Sequence, residues 1–210
     1  MKQFIITSCV VLSTGVAVYA QDVNKTNTQG QREGVWVGYH PKTNHLKYEG
    51  TFKNGKEVGT FKFYADEPEK KTVATKEFKT DGSVFTIFYN GDKKMSEGVY
   101  IGKKKEGVWK TYHFDGKSIM AEEPYVNDKV HGIKKIYYPS GKISEELGYK
   151  NGIEEGVSNQ YAENGVKIKE TQYKNGVLDG KIIIRDEAGK ITDEAKYVNG
   201  KLIFPKKDSK

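Results

Sequence analysis

Cysteine is all but missing from this chain. The one cysteine in its 210 residues is Cys9, inside the N-terminal stretch MKQFIITSCVVLSTGVAVYA. That stretch has Lys2, an apolar core from Phe4 to Val18 and small residues before Gln21. Residues 1–20 read as a cleaved export signal, with a membrane anchor as the alternative, although the apolar run is short and interrupted by Ser8, Ser13, Thr14 and Gly15. Only Phe4 to Ser8 precede Cys9, too little apolar chain for a lipoprotein signal, so the cysteine is one more apolar residue of the leader. A mature chain without cysteine has no disulfide and no cysteine-based metal site, even in an oxidising compartment. Its fold has to rest on packing and hydrogen bonds.

Other chemistry is missing too. The four histidines, His40, His45, His113 and His131, show no metal-ligand spacing. There is no G-x-S-x-G elbow, no phosphate loop and no nucleophile beside a base. Gly102 to Gly107, GKKKEG, has the composition of a phosphate loop but no helix after it to supply the anion-binding N-terminus. The sequence therefore implies no catalytic residue, no cofactor and no metal. Basicity is mild: without Lys2 the formal charge of +7 falls to +6. It is spread over the chain rather than gathered on one face, which argues against a nucleic-acid partner. Lys70-Lys71 and Lys103-Lys104-Lys105 read as solvated connection charge.

What the chain does have is repetition. The stretch GVWKTYHFDGKSIMAEEPYVNDKVHG, Gly107 to Gly132, finds copies of itself about every 24 residues. Opening glycines stand at Gly34, Gly59, Gly107, Gly132, Gly156 and Gly180, at spacings of 25, 48, 25, 24 and 24, and the double gap hides a unit beginning near Ser83. Five residues after each opening position comes Tyr39, Tyr64, Phe88, Tyr112, Tyr137 or Tyr161, with Arg185 in the last unit. Each second run ends in a ring: Phe52, Phe78, Tyr100, Tyr125, Tyr149, Tyr173 or Tyr197. Three residues earlier stands Glu49, Glu97, Glu122, Glu146, Glu170 or Glu194, replaced once by Thr75. Turn pairs separate the runs, Asp115-Gly116 and Asn164-Gly165 within units, Asn54-Gly55 and Asn151-Gly152 between them.

Runs of strand length joined by Asn-Gly or Asp-Gly are the signature of β-hairpins, because the turn needs positive φ that Asn and Gly adopt cheaply. No apolar stripe at helical spacing competes. The expectation is an all-β fold, an elongated single-layer antiparallel meander of about seven hairpin repeats over residues 34–204, twisted or curled. At about 4.8 Å per strand, fourteen strands would extend roughly 65 Å. The pattern G-x-W-x-x-Y, turn-Gly, E-x-x-Y-x-N-G-x-x-x-G resembles the bacterial variant of the MORN repeat over nearly all of the mature chain. That resemblance implies an extended sheet of hairpins, and the family is often labelled an antitoxin component of toxin–antitoxin systems.

Alternation along strands assigns faces. Residues one and five after the opening position share a face, where Val35, Val108, Ile133 and Val157 join the tyrosines, and this is expected to be the packing face. The other face carries Trp36, Phe61 and Phe63, Phe85 and Ile87, and Trp109 in units one to four, but Lys134, Ser158 and Gln160 in units five and six. Such an asymmetry makes Trp36, Phe61, Phe63 and Trp109 the candidate partner-binding residues, unless the sheet or the leader covers them. The repeated glutamates, about 10 Å apart, are too far separated for a catalytic pair and are expected to pair with lysines across strands. Residues 21–33 should form a flexible polar leader, and Asn24-Lys25-Thr26 matters as a sequon only in a eukaryotic secretory pathway. The connection Ala65 to Thr72, ADEPEKKT, reads as a tolerated insertion with a binding loop as the alternative. The array ends where Phe204 replaces the next glycine, and residues 205–210 form a Pro- and Lys-containing tail suited to blunting an edge.

Three function classes fit. The leading one is an exported, non-catalytic scaffold, periplasmic, cell-surface or secreted, that presents a β surface to another protein or an envelope component. The alternatives are an antitoxin-like inhibitor of a partner protein and a carbohydrate or lipid head-group binder, a membrane surface being a secondary option. The sequence leaves the oligomeric state open.

Overall fold

The computed structural model describes residues 22–204, so the expected export signal, Cys9 and the tail lie outside the described residues. Among the described residues there is no helix, and eighteen strands form one antiparallel sheet in which the long strands follow one another as a meander. All seven expected hairpins form. They are Arg32–Tyr39 with Leu46–Lys53, Lys56–Tyr64 with Thr72–Phe78, Ser83–Asn90 with Lys93–Ile101, and Lys104–Tyr112 with Ile119–Val126. Units five to seven are Gly132–Tyr137 with Ile143–Lys150, Gly156–Tyr161 with Lys167–Lys174, and Val177–Arg185 with Ile191–Val198. The strand count exceeds fourteen because units five and six begin with detached pairs, Lys129–Val130 and Ile153–Glu154, and a short strand is added at each end, Lys25–Thr26 and Lys201–Ile203.

The opening glycines are required by the backbone. All six have positive φ, +75° at Gly34, +66° at Gly59, +69° at Gly107, +110° at Gly132, +83° at Gly156 and +137° at Gly180. At Gly59 and Gly107 a Cβ would meet nothing within 4 Å, so conformation rather than crowding selects glycine. The junctions between units that open on a glycine contain a bulge there: into unit two, Thr51 pairs with Val58 and Glu49 with Lys62, leaving Gly59, Thr60 and Phe61 opposite the single residue Gly50. Unit three has no opening glycine and no bulge, the ladder running evenly from Phe78–Val84 to Ala74–Phe88. Its phase is consequently one residue later than expected. Tyr89, not Phe88, aligns with Tyr64 and Tyr112 at the register shift that ends each first strand.

The faces are the reverse of the expected assignment. Val108, Ile133 and Val157 are about half exposed, whereas Phe61 and Trp109 are each only 3% exposed. The residue two after the opening position points to the face that packs, because there the bulge brings it over the neighbouring strand. A Cβ on Gly50 would overlap the Phe61 ring and one on Gly98 would overlap Trp109. Glycines on one strand thus make room for rings on the next.

The leader is not free. Lys25–Thr26 pairs with Arg32–Glu33, Asn24 N–H donates to the Val35 carbonyl at 2.9 Å, and the Trp36 indole donates to the Lys25 carbonyl at 2.9 Å. It covers the first edge of the array, as a segment with no strand period can do once a neighbouring ring anchors it. Lys104 and Lys105, expected in a connection, begin a strand, and the Lys105 ammonium lies over the rings of Trp109 and Tyr125 at 4.5 and 4.7 Å.

Candidate functional site

On the packing face two rows interlock. The rings that end the second strands form one row, and the residue two after each opening position inserts between them. Phe61 stands between Phe52 and Phe78, 5.2 Å from each centroid and nearly edge-on to both. Trp109 packs at 4.8 Å against Tyr100 and donates its indole N–H to the Val99 carbonyl at 3.1 Å. Trp36 meets Phe52 at 5.9 Å under the Arg32 guanidinium, and Phe63 lies 6.3 Å from Phe61. Three of the four candidate partner-binding residues, Trp36, Phe61 and Phe63, therefore belong to one cluster, and Trp109 to a separate one. Phe61 and Trp109 are core, because the protein's own rings and glycines enclose them; Trp36 and Phe63 are half-buried. A partner has no access to the two buried rings in this arrangement.

The opposite face carries a latch that sequence reading missed. Tyr64, Tyr112, Tyr137 and Tyr161 donate their hydroxyls to Glu49, Glu97, Glu122 and Glu146 at 2.6, 2.6, 2.7 and 2.8 Å, each reaching fifteen residues back into the preceding unit. Burial first, then the bond to the carboxylate, pushes Tyr64, Tyr137 and Tyr161 up to about 12, and Tyr112 is raised for the same reasons. Against the opposing effect of burial, the Tyr112 hydroxyl and the Lys94 ammonium hold Glu97 below the usual carboxylate range. Lysines approach the glutamates as expected, across strands at 3.8 Å for Lys62–Glu49, 3.9 Å for Lys110–Glu122 and 2.7 Å for Lys181–Glu194, and within a strand at 2.9 Å for Lys94–Glu97 and 3.0 Å for Lys167–Glu170. The signal was present: Tyr and Glu recur together, and where Thr75 replaces the glutamate the latch is missing.

Both sheet edges are tied as well. Asn54, Asn127 and Asn175 N–H groups donate to the carboxylates of Glu33, Glu106 and Glu155, at the start of the same hairpin, at 2.7, 2.9 and 2.8 Å. At the other edge the imidazoles of His40 and His113, which hold equivalent positions, reach the Tyr64 and Tyr137 carbonyls at 3.3 and 3.1 Å. The unit-two connection docks onto the unit-one turn, Asp66 accepting from Thr43 and from His45 Nδ1 at 3.0 Å. Thr43 above all, helped by the charges of His40 and His45, holds Asp66 below its ordinary value. The repeated residues are thus largely used up in joining units, and no group of three or more potential metal ligands occurs among the described residues.

One place on the surface stands apart. Where the turns of units three and four meet, a cleft of about 620 Å³ is lined by Met95, Met120, Phe114, His113, Lys93 and Lys94. Phe114 is 85% exposed, with the Lys93 ammonium 4.1 Å from its ring. Met95 and Met120 are each the extra residue of a hairpin bulge, which turns them outward. Sequence analysis passed over all three, yet Phe114 fills a position held in the other units by Pro41, Asp66, Gly91, Pro139, Glu163 and Glu187.

Comparison with known proteins falls on the same array. Three consecutive units match the MORN repeat variant. The matched segments are residues 105–127, 130–151 and 154–175. They are units four to six, and the MORN repeat is a binding and structural motif on a generally non-enzymatic β scaffold. No curated protein matches the chain.

Proposed function

We propose that this chain is an exported, non-catalytic scaffold of MORN-variant repeats that holds a partner protein at the Phe114 cleft. The observation that carries the reading is the exposure of Phe114 beside Met95 and Met120 on a sheet edge otherwise closed by backbone and side-chain ties. An exposed ring flanked by unbranched, polarizable side chains suits an apolar anchor from a partner, and a rigid support lowers the entropy lost on docking. Of the lysines around the opening, Lys71 and Lys94 already meet Glu67 and Glu97, while Lys93 has no carboxylate partner among the described residues and favours a partner whose anchor is flanked by an acidic residue.

The test uses the full chain as bait from the native cells, with Phe114→Asp as the variant. Loss of captured protein with unchanged melting supports the reading. Capture undiminished by Phe114→Asp overturns it. Fractionation tests export separately, since protein recovered uncleaved in the cytosol would refute that part.

A further inference from the structure

The interlocking rows have one empty place. Across the sheet, the inserted position is Trp36 opposite Gly50, Phe61 opposite Lys76, Thr86 opposite Gly98, Trp109 opposite Glu123, and Lys134, Ser158 and Ile182 beyond. On one side of Thr86 the gap in the row holds Phe61, and on the other it holds Trp109. Thr86 itself is far too small to fill its own gap. An open slot of about 290 Å³ remains between Phe78 and Tyr100, with Val84, which pairs with both, as its floor, Gly102 at one end and Lys76 and Lys103 beside it. Thr86 borders the inner end of this slot but is itself 0% exposed, and its Oγ1 has no hydrogen-bond partner. A buried hydroxyl left without a partner carries a desolvation penalty, which marks this part of the row as imperfectly filled.

We infer that this slot is a binding site for a small aromatic carboxylate. The ring is specified by the two neighbouring gaps, where Phe61 and Trp109 stand between the same kinds of rings. Size agrees: a cavity of about 150 Å³ holds benzene, so twice that volume takes a ring with a side group. The charge is specified by Lys76 and Lys103, neither of which is ion-paired among the described residues. Lys76 pairs directly across from Thr86, and its ammonium now rests 5.4 Å from the Phe63 ring, from which it can swing to a carboxylate. Burial, together with the charge of Asp128, keeps Tyr100 protonated, so its hydroxyl remains a donor at the slot's wall. The site is independent of the Phe114 cleft. The same chemistry is offered by a free aromatic acid and by a peptide whose last residue is aromatic.

Titration of the folded chain with indole-3-acetate, followed by amide shifts, tests the inference. Saturable shifts centred on Thr86, Gly98 and Tyr100 are expected, with indole-3-acetamide at least tenfold weaker because it lacks the charge. Gly-Gly-Trp with a free carboxylate is the second arm: tighter binding than indole-3-acetate identifies a chain end as the source, and weaker binding a free acid. Thr86→Trp should fill the slot from within, abolish the shifts and raise the melting temperature. If that variant does not fold, the pair Lys76→Gln and Lys103→Gln should fold and weaken indole-3-acetate about tenfold. Shifts scattered over the sheet, or binding unaltered by whichever of these variants folds, overturn the site.

Discussion

Units one to four and units five to seven are built on the same frame and filled differently. Both halves have Asn-Gly turns with positive φ at asparagine, +49° at Asn54 and +53° at Asn151. Both have the tyrosine latch, at Tyr64 and Tyr112 in one half and Tyr137 and Tyr161 in the other. In the inserted row, however, the first half places Trp36, Phe61 and Trp109. The second places Lys134, whose ammonium pairs with Glu123 at 2.7 Å, then Ser158 and Ile182. The frame therefore specifies the fold and the row's filling sets how strongly each junction resists opening. In a stack where each unit touches only its neighbours, stability is a sum of local terms, so the halves should open separately.

The largest expected effect comes from removing a ring of the first half. Trp109→Ala should cost about 3–5 kcal/mol, since it empties a gap whose walls cannot collapse without breaking the ladder. Hydrogen exchange should show the loss at units three to five, leaving unit seven unchanged. Gly98→Ala should also destabilise, by about 1–3 kcal/mol, because its Cβ would overlap the Trp109 ring. In the double variant that penalty should vanish, a coupling readable from a mutant cycle. Additive costs would show that Gly98 is not there for the ring.

The latch is common to both halves and sharpens the comparison by leaving the row alone. Tyr137→Phe removes the donor to Glu122, which is about a third exposed and retains Lys110 at 3.9 Å. A cost near the low end for bonds to charged groups, about 1.5 kcal/mol, is expected. Alkali should act in the same way. The folded-state values of Tyr64, Tyr137 and Tyr161, about 12, lie above tyrosine's ordinary 10, so the latch contributes fully below pH 10 and is lost as pH rises through about 12. Melting temperature measured between pH 9 and 12 should fall, and less steeply in Tyr137→Phe. An equal fall in the variant would mean that tyrosine ionisation is not the cause.

The hairpins, their turns and their number were legible because glycine and asparagine at fixed offsets report directly on backbone conformation. Face assignment failed for a physical reason. Alternation is a local rule, and the bulge at Gly107 sets three residues against one on the neighbouring strand, so Val108 and Trp109 cannot be sorted without the partner Gly98. The latch escaped notice because it links a tyrosine to a glutamate two strands away, beyond the adjacent-strand pairs that spacing suggests. Unit three misled by one residue since it lacks the glycine that marks phase. The leader's role was invisible in its polar composition, for it is held by backbone bonds and by the Trp36 indole.

The smallest expected effect belongs to the second half. Ser158 is 6% exposed, its Oγ has no partner, and it occupies the place that Trp109 fills one half earlier. Thr171 donates to its carbonyl at 3.3 Å, a bond that alanine would keep. Removing a buried hydroxyl with nothing to bond relieves a desolvation cost and leaves only a small void. Ser158→Ala should therefore be neutral or more stable by up to about 1 kcal/mol, read from denaturant unfolding monitored at units five to seven. A destabilisation larger than about 1 kcal/mol would mean that the hydroxyl is bonded in solution. The polar filling of the second half would then be a satisfied network rather than a lightly packed version of the first.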